Sequence, residues 1–63
     1  MTLQSELLIC LAKLKAIENG LQTEAEHANC ANDAKSFRDA RLLVTDVRKD
    51  MQKRLEEISK DVS

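Results

Sequence analysis

The sequence predicts an all-α fold: a helical hairpin that dimerises into an antiparallel four-helix bundle. Three observations carry that prediction. Apolar residues recur at Leu3, Leu7, Cys10, Leu14, Ile17 and Leu21, in steps of 4, 3, 4, 3 and 4, the repeat of a helix laying one seam on a partner helix. The 63 residues include no proline, one glycine and one aromatic, and they are dominated by the strong helix formers rather than by the residues that fill strands. Asn29-Cys30-Ala31-Asn32-Asp33 interrupts the pattern near the midpoint, because Asn and Asp side chains bond their own backbone and compete with the helix. A single long helix in a coiled-coil dimer and a three-helix arrangement are the competing layouts.

The first helix is expected over about residues 3–28, starting near Thr2 or Ser5, which are capping types. Strand alternation is absent from Leu7-Leu8-Ile9-Cys10-Leu11-Ala12. Leu8, Ile9, Leu11 and Ala12 widen the apolar face beyond a two-stranded stripe, so this half needs two or three helical neighbours. Asn19-Gly20 is a possible stop, with Thr23 to Glu26 as a capping box restarting the chain. Leu21, Ala25 and Ala28 keep the earlier register, however, and a mid-helix glycine costs only about 1 kcal/mol relative to Ala. A helix continuous through Gly20 is the preferred reading.

A turn is expected at about residues 29–33, with Asn32 or Asp33 capping a second helix over about residues 34–61. Its apolar positions are Phe37, Ala40, Val44, Val47, Met51, Leu55, Ile58 and Val62, in steps of 3, 4, 3, 4, 4, 3 and 4. The additional 4 between Met51 and Leu55 is a stutter, which locally unwinds a supercoil. Leu43 widens the stripe. Asp50–Arg54 and Glu56–Lys60 are favourable pairs on an exposed face. The expected oligomer interface therefore comprises Leu3, Leu7, Leu8, Cys10, Leu11, Leu14, Ile17 and Leu21 from the first helix. Phe37, Val44, Val47, Met51, Leu55 and Ile58 come from the second.

A domain this short buries only about 60% of the surface that its unfolded chain exposes. Small folds compensate with disulfides, a metal or oligomerisation. Two cysteines make no disulfide framework. His27 and Cys30 are one helical turn apart, but zinc takes three or four protein ligands, so no metal and no cofactor are expected. Cys10 on the seam behaves as a small hydrophobe, and Cys30 in the turn is the more accessible thiol. A catalytic thiol needs a depressed pKa and an orienting base, and His27 beside Glu24 and Glu26 is a poor setting for one. The chain reads as non-enzymatic.

The start has no basic stretch before its apolar run, and that run is far short of the roughly 20 residues that cross a bilayer. A cytoplasmic protein with reduced thiols is expected. Glu18, Glu24, Glu26 and Asp33 give residues 18–34 a net charge of −4, while residues 35–54 carry +4. In a hairpin these stretches lie side by side and can pair. Arg38, Arg41 and Arg48, at steps of 3 and 7, otherwise form a basic stripe for nucleic acid or an acidic partner, although no aromatic accompanies them for base stacking.

The chain length, the start MTLQSELLICLAKLKAIENG and the charge-rich second half resemble small early proteins of the exo–xis region of lambdoid phages. The resemblance implies a non-enzymatic protein acting in the bacterial cytoplasm, on phage development and the choice between lysis and lysogeny. It supplies no site residues. In architecture alone, two helices around a mid-chain break are similar to plasmid copy-number proteins that form dimeric four-helix bundles and bind paired RNA hairpins. That RNA function does not transfer with a fold likeness. The expected activity is regulation through a host or phage protein partner, with nucleic-acid binding through Arg38, Arg41 and Arg48 as the alternative.

Overall fold

The computed structural model describes the backbone of residues 2–62 and the side chains of residues 2–60. Two helices, α1 (Leu3–His27) and α2 (Ala31–Val62), pack against each other as a hairpin. Its Cα extents are 49 × 17 × 11 Å.

Thr2 starts α1. Its extended backbone (φ −83°, ψ 159°) turns the chain into the helix, and its hydroxyl oxygen accepts from the Ser5 amide at 3.1 Å, satisfying one orphan donor of the first turn. The helix runs unbroken through Gly20, which has no positive φ and open space where a Cβ would sit. Ala28, at φ −65° and ψ 140°, ends α1 by swinging into extended backbone. No left-handed residue is needed, in contrast to the usual glycine stop.

The second helix begins three residues earlier than the Asn/Asp run suggests. The Asp33 amide donates to the Cys30 thiol sulfur at 3.4 Å, and the Ala34 amide donates to the Cys30 carbonyl at 3.1 Å. Cys30 thus occupies the capping position expected of Asn32 or Asp33, and both of those lie inside α2. Asp33 still serves the helix start, as an acid in the first turn.

Half-buried positions trace the contact line on each helix. On α1 they are Leu7, Leu11, Leu14, Glu18 and Leu21, continued by Ala28 just past its end, together with Ala25, the only buried hydrophobic residue among those described. On α2 the line runs Ala34, Phe37, Arg41, Val44, Arg48, Met51, Leu55 and Ile58, flanked by Ala40, Thr45 and Ser59. Counted this way α2 alternates steps of 3 and 4 without interruption, so the stutter at Met51–Leu55 disappears. It arose because two seam positions hold arginine and drop out of an apolar count. Cross-links set the antiparallel register: the Gln4 amide donates to the Ser59 hydroxyl at 3.2 Å near the open end, and Glu18 meets Thr45 and Arg48 at mid-length.

Candidate functional site

The contact line is interrupted at mid-length by a polar layer. Helical spacing puts Glu18 where a leucine would continue the series Leu11, Leu14, Leu21. Its carboxylate accepts from the Thr45 hydroxyl on one oxygen and from the Arg48 Nε on the other. Arg48 also donates through Nη1 to Gln52 at 3.2 Å. The side chains of Glu18 and Arg48 are only 12% and 23% exposed, so this pair is far drier than the Lys35–Asp39 pair on the outer surface, at 71% and 56%. The Thr45 hydroxyl holds the Glu18 carboxyl below its ordinary pKa, helped by the Arg48 hydrogen bond and by the charges of Arg48 and Arg41, against the opposing pull of burial.

Beside this layer Lys15, Glu18, Asn19, Gln22, Arg41 and Arg48 line an open cleft of about 260 Å³. Three cations there face one carboxylate. The Arg41 Nε is buried with no hydrogen-bond partner, an uncompensated donor of the kind that protein interiors seldom leave. A second cleft of about 250 Å³ continues along the same side, lined by Leu11, Ala12, Lys15, Arg48 and Gln52.

The expected basic stripe therefore divides. Arg38 is exposed, whereas Arg41 and Arg48 are half-buried on the helix contact line. Arg48 is committed to Glu18, an acid of the 18–34 stretch, and its stem lies among the packed residues.

The expected interface residues divide too. Leu7, Leu11, Leu14, Leu21, Phe37, Val44, Met51, Leu55 and Ile58 lie half-buried between the two helices of one chain. Leu3, Leu8, Cys10, Ile17 and Val47 are exposed on the hairpin. Val62 lies outside the residues whose side chains are described. Cys10 is not on the contact line within the chain; Leu11 holds that place. Glu18 was missed as a site residue because an apolar count skips it, although its spacing from Leu14 and Leu21 was the signal.

His27 is occupied locally, its Nδ1 lying 2.8 Å from the Thr23 carbonyl oxygen. Among the described residues no group of three or more His, Cys, Asp or Glu is placed to hold a metal ion. No helix among them is long and apolar enough to cross a membrane. No protein-family model, no curated protein and no solved structure matches this chain.

Proposed function

We propose that this protein is a non-enzymatic regulator that works by binding a protein partner, and that it does so as a self-associated helical bundle. The single observation that carries the binding reading is the charge imbalance of the mid-length cleft. Lys15, Arg41 and Arg48 surround Glu18 alone, and the Arg41 Nε lacks an acceptor. A cleft of that kind takes a carboxylate from an acidic surface, drawn by its excess of positive charge. The resemblance in length, start and charge-rich second half to small early phage proteins supports a bacterial cytoplasmic setting and a host or phage partner that governs phage development.

A second reading, nucleic-acid binding, is favoured by the exposed Arg38 one helical turn before Arg41. Against it stand the carboxylate of Glu18 in the middle of the surface and the absence of an aromatic for stacking.

Lys15→Gln combined with Arg41→Gln tests both, because neither residue belongs to the Glu18–Arg48 pair. Capture from a bacterial lysate followed by mass spectrometry should retain a specific protein on the parent and lose it on the double variant, with helix content unchanged. Tight binding of the parent to DNA or RNA, with a steep salt slope that flattens by about one unit per lost contact, would instead favour the second reading.

A further inference from the structure

Both apolar stripes are wider than the contact between the two helices, and one side of the hairpin receives overhang from both. Hydrogen bonds identify the polar side: Glu18 reaches Thr45 and Gln4 reaches Ser59. With 3.5 residues per turn, Lys15, Gln22 and Gln52 share that side. The opposite side collects Leu3, Cys10 and Ile17 from α1 and Ala40, Leu43 and Val47 from α2. Leu3, Ile17, Leu43 and Val47 are 59%, 49%, 69% and 51% exposed. These four line one face, which one heptad beyond Leu43 and Val47 carries the exposed Asp50–Arg54 pair, whereas Leu8 and Leu42 stand on the polar side and Ile9 on the back of α1.

We infer that this face is covered by a second copy of the chain, giving a twofold four-helix bundle with the polar layer turned outward. The inference deepens the self-association reading above and rests on it.

The area supports that occupant. A compact monomer of 7.1 kDa exposes about 4,100 Å², whereas this chain exposes 4845 Å². The excess of roughly 700 Å², spread over an elongated hairpin, leaves the chain with surface to spare for the share of about 800 Å² that each partner contributes to a stable interface. Position supports it as well. The antiparallel register sets Ile17 and Val47 level with each other at mid-length, so a twofold axis through the middle of the face brings the pair onto its own copy. No other partner is needed to bury the overhang of both helices at once.

The test compares two residues of nearly equal exposure, Val47 at 51% on this face and Leu42 at 53% on the polar side of α2. Sedimentation equilibrium at micromolar concentration should give a dimer for the parent and for Leu42→Lys. Val47→Lys should raise the dissociation constant about 100-fold or more, since it buries two unpaired charges per dimer. The double variant Ile17→Ala/Val47→Ala adds no charge; it should keep the hairpin helical by circular dichroism and weaken association about tenfold. Cys10 gives an independent readout. It is exposed on the hairpin but lies on the proposed interface, so a thiol reagent should reach it slowly in the parent dimer and quickly in the weakened variants, with Cys30 fast in all. A monomeric parent would overturn self-association itself. A dimer unaffected by the Val47 and Ile17/Val47 variants, or broken by Leu42→Lys, would keep self-association and overturn this face. Rapid labelling of Cys10 in a parent shown to be dimeric would do the same.

Discussion

Ile17 and Glu18 are neighbours in the chain and stand on different sides of the hairpin. Ile17 is half-exposed on the side that also carries Leu3, Leu43 and Val47. Glu18 is largely enclosed and bonded to two residues of the opposite helix. The helix contact runs through Glu18 and leaves Ile17 at its margin. It is apolar at both ends and polar in the middle, while the surplus of apolar residues lies to one side. Apolar packing alone is non-directional and tolerates sliding by a heptad. A charged pair that must find its partner, and a hydroxyl beside it, admits one register. The comparison therefore separates two tasks. The polar side specifies how α1 meets α2, and the apolar side supplies area for further burial.

The largest effect should come from breaking the polar side. Glu18→Ala leaves the Arg48 guanidinium part-buried without its carboxylate and the Thr45 hydroxyl without an acceptor. Unmade bonds of enclosed groups cost more than made ones contribute. The melting temperature should fall clearly further than for Asp39→Ala, which removes only the exposed pair with Lys35 and should cost about 0.5 kcal/mol or less. Equal, small losses in the two variants would mean that the enclosed layer contributes no more than a surface pair.

The same layer has a pH signature. The Glu18 carboxyl is held below its ordinary pKa in the folded chain, so the unfolded chain takes up the proton first as acid is added. The contribution is complete above the unfolded value of about 4.3 and is lost as pH falls through the lower folded value. Urea titrations at a series of pH values should show this acid limb in the parent and a shallower one in Glu18→Gln, which carries no titrating group there. An identical limb in the two proteins would assign the pH dependence to other carboxylates.

How far the fold was legible follows from these residues. Leu7, Leu14 and Leu21 belong to the contact line and follow from spacing, whereas the interruption near the midpoint follows from the Asn/Asp run, with α2 starting at Ala31 and not at residue 34. Cys10 and Ile17 were placed on the same seam because an apolar count follows the centre of the stripe. The actual contact runs along its edge, through Leu11 and Glu18. The same bias hid Arg41 and Arg48 and produced a stutter that the helix does not have. Binary pattern locates apolar area, whereas it is silent on which part of that area a given neighbour takes. The polar layer needed both helices in register before Glu18 and Arg48 became a pair, 30 residues apart in the chain.

A smaller effect is expected from Gly20→Ala, which stiffens α1 without altering the polar layer. Gly20 is helical, has no positive φ and faces open space at its Cβ position. Alanine there removes unfolded-state entropy and should raise stability by up to about 1 kcal/mol in urea unfolding. Destabilisation would mean that the position is crowded by something the single chain does not contain. A second copy over the apolar side is the neighbour that would do it.

The smallest effect concerns the turn that joins the two sides. Cys30 caps α2 with sulfur, a weak acceptor, at 3.4 Å from the Asp33 amide. Serine at this position offers a stronger acceptor on a shorter bond and is a preferred capping residue. Cys30→Ser should therefore raise stability by a few tenths of a kcal/mol, up to about 1 kcal/mol. Cys30→Ala removes the acceptor and should lower stability by about 0.5 kcal/mol or less, given how little a thiol contributes. The three residues at one position then form a series, Ser above Cys above Ala, readable from melting temperatures under reducing conditions. If Ser and Ala behave alike, the start of α2 is set by packing of Ala34 and Phe37 on the contact line and not by the cap. The helix would then begin at Ala31 because the two arms of the hairpin have to meet there.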